Sequence, residues 1–160
     1  IAGHSCPTVA SAYWMTHRAL SALYGDDIPE RGAIRVDFRE DRLEGVTGVI
    51  ASVVSQLTGA TNDTGFKGLA GRYDRRNLLF FNADIPCEIR FTRQDTGASA
   101  DALAHLRSVP ADPEMLELMQ RCLHGDASGE ETERFGRIWQ DRVRRILLEH
   151  GNDGEIFVIR

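Results

Sequence analysis

Cysteine is scarce in this chain and lysine is nearly absent. Three cysteines, Cys6, Cys87 and Cys122, stand far apart in 160 residues. An odd number at wide spacing is not a disulfide framework, and a reducing compartment is the default for such thiols. Lys67 is the only lysine; the other basic residues are all arginine. Long apolar runs are missing too. No segment approaches the roughly 20 apolar residues of a membrane-spanning helix, and no secretory signal is visible. The chain lacks a Gly-x-Ser-x-Gly elbow, a His-Glu-x-x-His pair and a paired Cys-x-x-Cys. Its glycines are not spaced as a Walker loop or a dinucleotide fingerprint. These absences remove the usual signatures of a hydrolase triad and a zinc ribbon. A net charge of −5 argues against broad binding to nucleic acid or anionic membranes. The first residue is Ile1 rather than Met, so an upstream segment is expected to have been removed or left out. The expected location is cytoplasmic, with export left open for that reason.

What is present suits one globular domain. Hydrophobic residues make up 42% of the chain, enough for a real core. Pro7 can occupy the first turn of a helix, which then runs to about Tyr24 and stops at Gly25. Val9, Tyr13, Leu20 and Tyr24 form its apolar stripe, with Ala10 and Trp14 beside it. Ile34, Val36 and Phe38 alternate with Arg35 and Asp37 as a half-buried strand. From Gly45 to Thr58 the residues favour strand but the period favours helix. Val46, Val49, Ile50, Val53 and Leu57 share one face, while Gly48, Ser52 and Ser55 make a small-residue face opposite. The expectation is a helix packed on two sides and ending at Gly59. Residues 61–76 read as a polar loop, Leu78 to Phe81 as a buried strand, and Cys87, Ile89 and Phe91 as the inner face of another strand. Residues 95–101 read as a turn-rich loop. Asp112-Pro113 starts a helix whose apolar side runs from Met115 to Leu123. Ser128-Gly129-Glu130-Glu131 is a capping box for a further helix that buries Phe135, Ile138, Trp139, Val143 and Ile146. Residues 155–160 close the chain as a strand. The expected class is α+β, a mixed sheet covered by helices. Residues 111–150 are expected to form a helical hairpin against the sheet or a partner protomer.

His4 and Cys6 are the first candidates for chemistry. In a helix, positions i and i+2 diverge by about 200°. Before the helix begins, both side chains can turn to one point. A helix start favours an anion, and a thiolate with an imidazole is a fair half-set for zinc or a similar metal. The competing structural reading is a buried cysteine and a capping histidine. His17 lies about three turns beyond Cys6, roughly 16 Å along the axis. It cannot share an ion with Cys6 of its own chain, but it can line the same groove or serve as a plain helix-face histidine. Cys87 fits a small core residue or a third donor brought in by the fold. Cys122 and His124 have ligand-like spacing, yet Cys122 fits the apolar helix side and His124 suits the end of a helix dipole. Asn62, Asp63, Lys67, Arg72, Arg75 and Arg76 form either an anion-binding loop or a solvated one.

Gly3-His4-Ser5-Cys6-Pro7 followed at once by a long helix resembles the opening of the FmdE family, which takes its name from formylmethanofuran dehydrogenase. Members of that family typically read His-Gly-His-x-Cys-Pro there. Leu57-Thr58-Gly59-Ala60-Thr61 and Gly65-Phe66-Lys67-Gly68 resemble the family's Thr-Gly-x-Thr and Gly-Lys segment. The likeness covers roughly residues 1–92. It implies an α+β core related to the catalytic-domain fold of glyceraldehyde-3-phosphate dehydrogenase. It also implies a homodimer and a metal-binding cleft, with His4 and Cys6 as ligands, zinc as the first expectation, and Thr58, Thr61, Lys67, His17 and Cys87 as candidate cleft lining. Two departures matter. Ala2 stands where the family has its first His, and the stretch Val49 to Ser52 lacks the family's Cys and Asp. No cysteines are present for the C-terminal zinc finger of some members. The function expected is metal or metallocofactor binding, in redox or one-carbon-type chemistry, with a small molecule as partner. Two alternatives stand beside it. One is an enzyme with Cys6 as nucleophile and His4 as base; the other is a non-catalytic dimer with a relict cleft.

Overall fold

The computed structural model describes residues 4–160. Ala2 and Gly3 of the opening motif lie outside the described residues. The order is α1 (Pro7–Tyr24), β1 (Ile34–Phe38), α2 (Thr47–Thr58), β2 (Leu79–Phe80), β3 (Ile89–Arg93), β4 (Ser99–Ala104), α3 (Met115–His124), α4 (Gly129–Arg144) and β5 (Phe157–Ile159). The described residues build a five-stranded sheet in the order β2-β1-β3-β4-β5. β2 runs parallel to β1 and the other pairs are antiparallel. With helices packed on it, this mixed sheet is an α+β fold.

Period-2 alternation gives the sheet two different faces. Ile34, Val36, Phe38, Ile89, Phe91, Ala100 and Ala102 are buried on the side that meets α1. Across the opposite side run charged pairs. Arg35 binds Asp37 on the same strand at 2.7 Å, and Arg90 binds Asp101 across β3 and β4 at 2.7 Å. The Arg35 guanidinium also lies 4.2 Å from the Phe80 ring centre. A one-residue slip would push these charges into the core, so the pattern pins the register.

Helix α1 begins at Pro7 and ends at Gly25, whose φ of 58° suits a residue without a side chain. Its buried face overlaps the expected stripe only in part: Ala10 and Tyr24 are buried as expected, but the centre of the face lies elsewhere. Ala12, Met15, Thr16 and Ala19 are fully covered, whereas Tyr13 is 38% exposed. Small side chains let the helix lie close on β3, β4 and β5, and that proximity outweighs hydropathy in choosing the face. The same correction applies to α2. Ala51, Val54 and Thr58 face inward, about a third of a turn from the expected stripe, which leaves Val46 and Val49 exposed. α2 packs on α1.

Two further expectations change. Residues 99–104, Ser-Ala-Asp-Ala-Leu-Ala, begin within the expected loop, yet they form the inner strand β4. The helical hairpin forms, with its Ser128–Glu131 capping box intact. However, α3 packs on α4 rather than on the sheet, and Leu118 is its buried residue. α4 is the arm that joins the body. Arg142 donates to the carbonyls of Leu106 and Val109, and Arg145 to that of Pro110. A π-turn over Arg145–Glu149 then carries the chain back to α1. There the Trp14 indole N–H donates to the Leu147 carbonyl at 3.1 Å. Gly151 leaves the space that a methyl would need to the indole ring itself.

Arg93 ties the far end of α1 to the sheet. It donates to the Leu23 carbonyl, lies 4.1 Å from the Tyr24 ring centre and grips Asp95 through two hydrogen bonds. Those bonds hold the Asp95 carboxyl down to about 2.

Gly151→Ala should force the indole aside and cost about 1–3 kcal/mol, read as a lower urea midpoint with an altered tryptophan emission. The stability supplied by Asp95 should be complete above the ordinary carboxyl value of 3.8 and fade as pH falls through about 2. Urea midpoints taken across that acid range should therefore vary less in Asp95→Asn than in the parent.

Candidate functional site

Cys6 is the residue that opens α1. It occupies the N-cap position with extended backbone, φ −116° and ψ 171°, and its side chain makes no capping hydrogen bond. Its carbonyl already accepts from Ala10 N at 2.9 Å. Pro7 has no N–H to offer, so Thr8 and Val9 carry the first-turn N–H groups that lack an intrahelical partner. Cys6 is half-buried and His4 is exposed two residues earlier. The carbonyl between them, that of Ser5, accepts from Gln140 Nε2 at 3.4 Å, which leans this segment on α4. Ser5 also borders an open groove of about 630 Å³ shared with Arg137, Gln140, Arg144 and Leu147. Its arginines are already paired: Arg137 with Glu133, Arg144 with Asp141 and Glu149.

The other candidates separate. Cys87 is 2% exposed and belongs to the core just ahead of β3. Thr58 is fully buried, with both hydroxyl functions used. It donates to the Val54 carbonyl at 2.8 Å and accepts from Ala60 N at 3.1 Å. Neither residue is on a cleft surface. Thr61 holds the following loop by donating to the Arg75 carbonyl at 2.7 Å. Lys67 is exposed on that loop. Cys122 is half-buried on α3 and His124 is exposed in its last turn. His17 is exposed on α1, its ring 5.1 Å from Trp14 and 5.9 Å from Tyr13. It lines a different cavity from the groove beside Ser5.

Residues 61–77 are more ordered than a solvated loop. Leu69 and Arg72 exchange hydrogen bonds of 2.8 and 2.9 Å around Ala70 and Gly71, both with positive φ. Thr61 N bonds the Arg75 carbonyl, Arg75 N bonds that of Phe66, and Asn62 Nδ2 reaches the Leu79 carbonyl. A side chain at Gly68 would run into the Arg72 carbonyl. The reading of residues 61–76 as a polar loop did not show this hairpin, because its cross-links depend on the fold.

Donor type at the start of α1 suits zinc, because thiolate and imidazole are among its preferred ligands. Donor number is another matter. Among the described residues no group of three or more His, Cys, Asp or Glu could hold a metal ion. None of the described helices is long and apolar enough to cross a membrane. No family model matches the chain, and none of the curated proteins matches it.

Thr58→Val tests the placement of that residue in the core. It should leave the Ala60 N–H buried without a partner and cost about 1–3 kcal/mol, measured by chemical denaturation.

Proposed function

We propose that this chain is a metal- or metallocofactor-binding protein of the FmdE type, with His4 and Cys6 as its protein donors. The observation that carries the proposal is the Cys6 N-cap. Its thiol is left out of capping, on extended backbone, at the positive end of an 18-residue helix. Two donors do not complete the tetrahedron that zinc prefers. The remaining positions are supplied by a second copy in a homodimer or by the bound cofactor. A bound metal would supply Lewis-acid polarisation of a small substrate, in redox or one-carbon-type chemistry. The chain's own contribution is positional. Gln140 holds the Ser5 carbonyl, Pro7 fixes the turn, and α1 is anchored along its length, so that the two donors leave a rigid base.

The same thiol position favours one other reading, in which Cys6 attacks an electrophile as a nucleophile and His4 takes its proton. Elemental analysis separates the two. Protein prepared without chelators should carry stoichiometric metal. Cys6→Ala should lose it, and Cys122→Ala should keep it. Metal-free protein that is alkylated selectively at Cys6 near neutral pH would replace the metal proposal with the nucleophile. Metal retained in full by Cys6→Ala would remove Cys6 from the site altogether.

A further inference from the structure

The cavity beside His17 plays no part in that proposal. Tyr13, His17 and Leu20 reach it from α1, Leu57 from the last turn of α2, and Pro29 and Arg31 from the segment between α1 and β1. Its volume is about 390 Å³, toward the small end of the range for ligand pockets. Most of the wall is apolar. Ser21 is also there, but its hydroxyl is committed to the His17 carbonyl at 2.9 Å.

Arg31 is backed by a second arginine. Gly59, in the left-handed region at φ 78°, closes α2. A methyl placed on it would lie 3.1 Å from Arg75 Cδ and 3.4 Å from Arg31 Cβ and Nε. Gly32 gives way in the same manner, with 3.1 Å to Arg75 Cγ. The two side chains thus run together over the C-terminal end of α2, each in space that a glycine vacates. The helix end uses one donor, as Arg31 Nη2 binds the Gln56 carbonyl at 2.8 Å. It does not account for Arg75, whose Nε is buried without a hydrogen-bond partner. The Arg75 guanidinium lies 5.2 Å from the Phe66 ring centre.

The charge balance here differs from that of the neighbouring sheet. Arg35, Arg76, Arg90 and Arg93 each hold a carboxylate. Among the described residues, neither Arg31 nor Arg75 has one within ion-pair distance. The stems of these two like-charged side chains lie close together at Gly59, with no carboxylate among the described residues between them. Arg31 alone of the two lines the cavity, with the Arg75 stem packed near its own at Gly59; a guanidinium at the edge of an apolar cavity is suited to an anion with an apolar body. Asp27, also on the wall, would repel a second or third negative charge.

We infer that this cavity binds a small organic monocarboxylate. Its carboxylate is held by Arg31, with Arg75 adding charge from behind. Its apolar body lies among Tyr13, Leu20, Leu57 and Pro29, and His17 flanks the opening. Polyphosphates and nucleotides are disfavoured by Asp27 and by the small volume.

The test is an NMR titration of the full chain with 3-phenylpropanoate, beside the uncharged 3-phenyl-1-propanol and inorganic phosphate. The carboxylate should shift resonances of residues 13–20, Arg31 and Leu57 saturably, and the other two probes should bind far more weakly. Arg75→Gln, which loses no side-chain hydrogen bond, should weaken binding by about twofold to fivefold, as expected for a nearby charge that does not touch the ligand, whereas Arg31→Gln should weaken it by at least about tenfold, the loss for a charge-assisted contact. Arg31→Gln removes a contact to α2, so Arg31→Lys accompanies it; the lysine should restore part of the affinity. Equal binding of the alcohol, phosphate binding as tight as that of 3-phenylpropanoate, or unchanged binding in Arg75→Gln would overturn the inference. So would the absence of shifts at these residues. Cys6→Ala should bind the probe normally, so failure here and failure at the metal site are distinguishable.

Discussion

The close fit of α1 on the sheet is the constraint on which everything else depends. Ala12, Met15, Thr16 and Ala19 let the helix backbone approach β3, β4 and β5, and α2 and the end of α4 are referred to that contact. α2 packs on α1, and the π-turn after α4 is hooked to Trp14. Larger residues at the inward positions would lift the helix off the strands and separate Cys6, at one end, from the structure that steadies it. The outward face is correspondingly free to carry aromatic and titratable side chains, and Tyr13 and His17 stand there.

Much of this architecture was legible from residue order. Pro7 and Gly25 bracket α1, the alternation of Ile34, Val36 and Phe38 marks β1, and Ser128 with Glu131 announces α4. The helical period of residues 47–58 correctly overrode their strand propensity. Which face a helix buries was not legible. The most hydrophobic stripe and the most closely approaching stripe are different on both α1 and α2, and packing distance decided between them. Nor was β4, because Ala and Ser carry little strand propensity. Its neighbours on both sides impose the conformation, with Ala100 and Ala102 filling the narrow space beneath α1.

The candidate sites divide in the same way. His4 and Cys6 could be named from their chemistry and from their place at a helix start. The pairing of Arg31 with Arg75 could not. It needs two glycines, at 32 and 59, to admit side chains from segments more than forty residues apart. Many of the other arginines follow a simpler rule and face a carboxylate or a pair of carbonyls, as Arg90 and Arg142 do, although Arg18 also keeps a buried nitrogen without a partner. Departures from that rule are informative because the guanidinium stays charged under all ordinary conditions.

The path of the chain through the sheet bears on how the molecule is made. Of these elements α1 is the first to leave the ribosome, and β5, against which it packs, is the last. During synthesis the part of α1 that meets β5 must wait while the intervening strands and the helical hairpin emerge, although α2 and β4 can cover the rest of the helix sooner. Contacts of such long sequence separation close slowly. The growing chain therefore shows its neighbours a partly uncovered helix until β5 is made, a period in which a chaperone or a second nascent copy is the nearest available cover for that part.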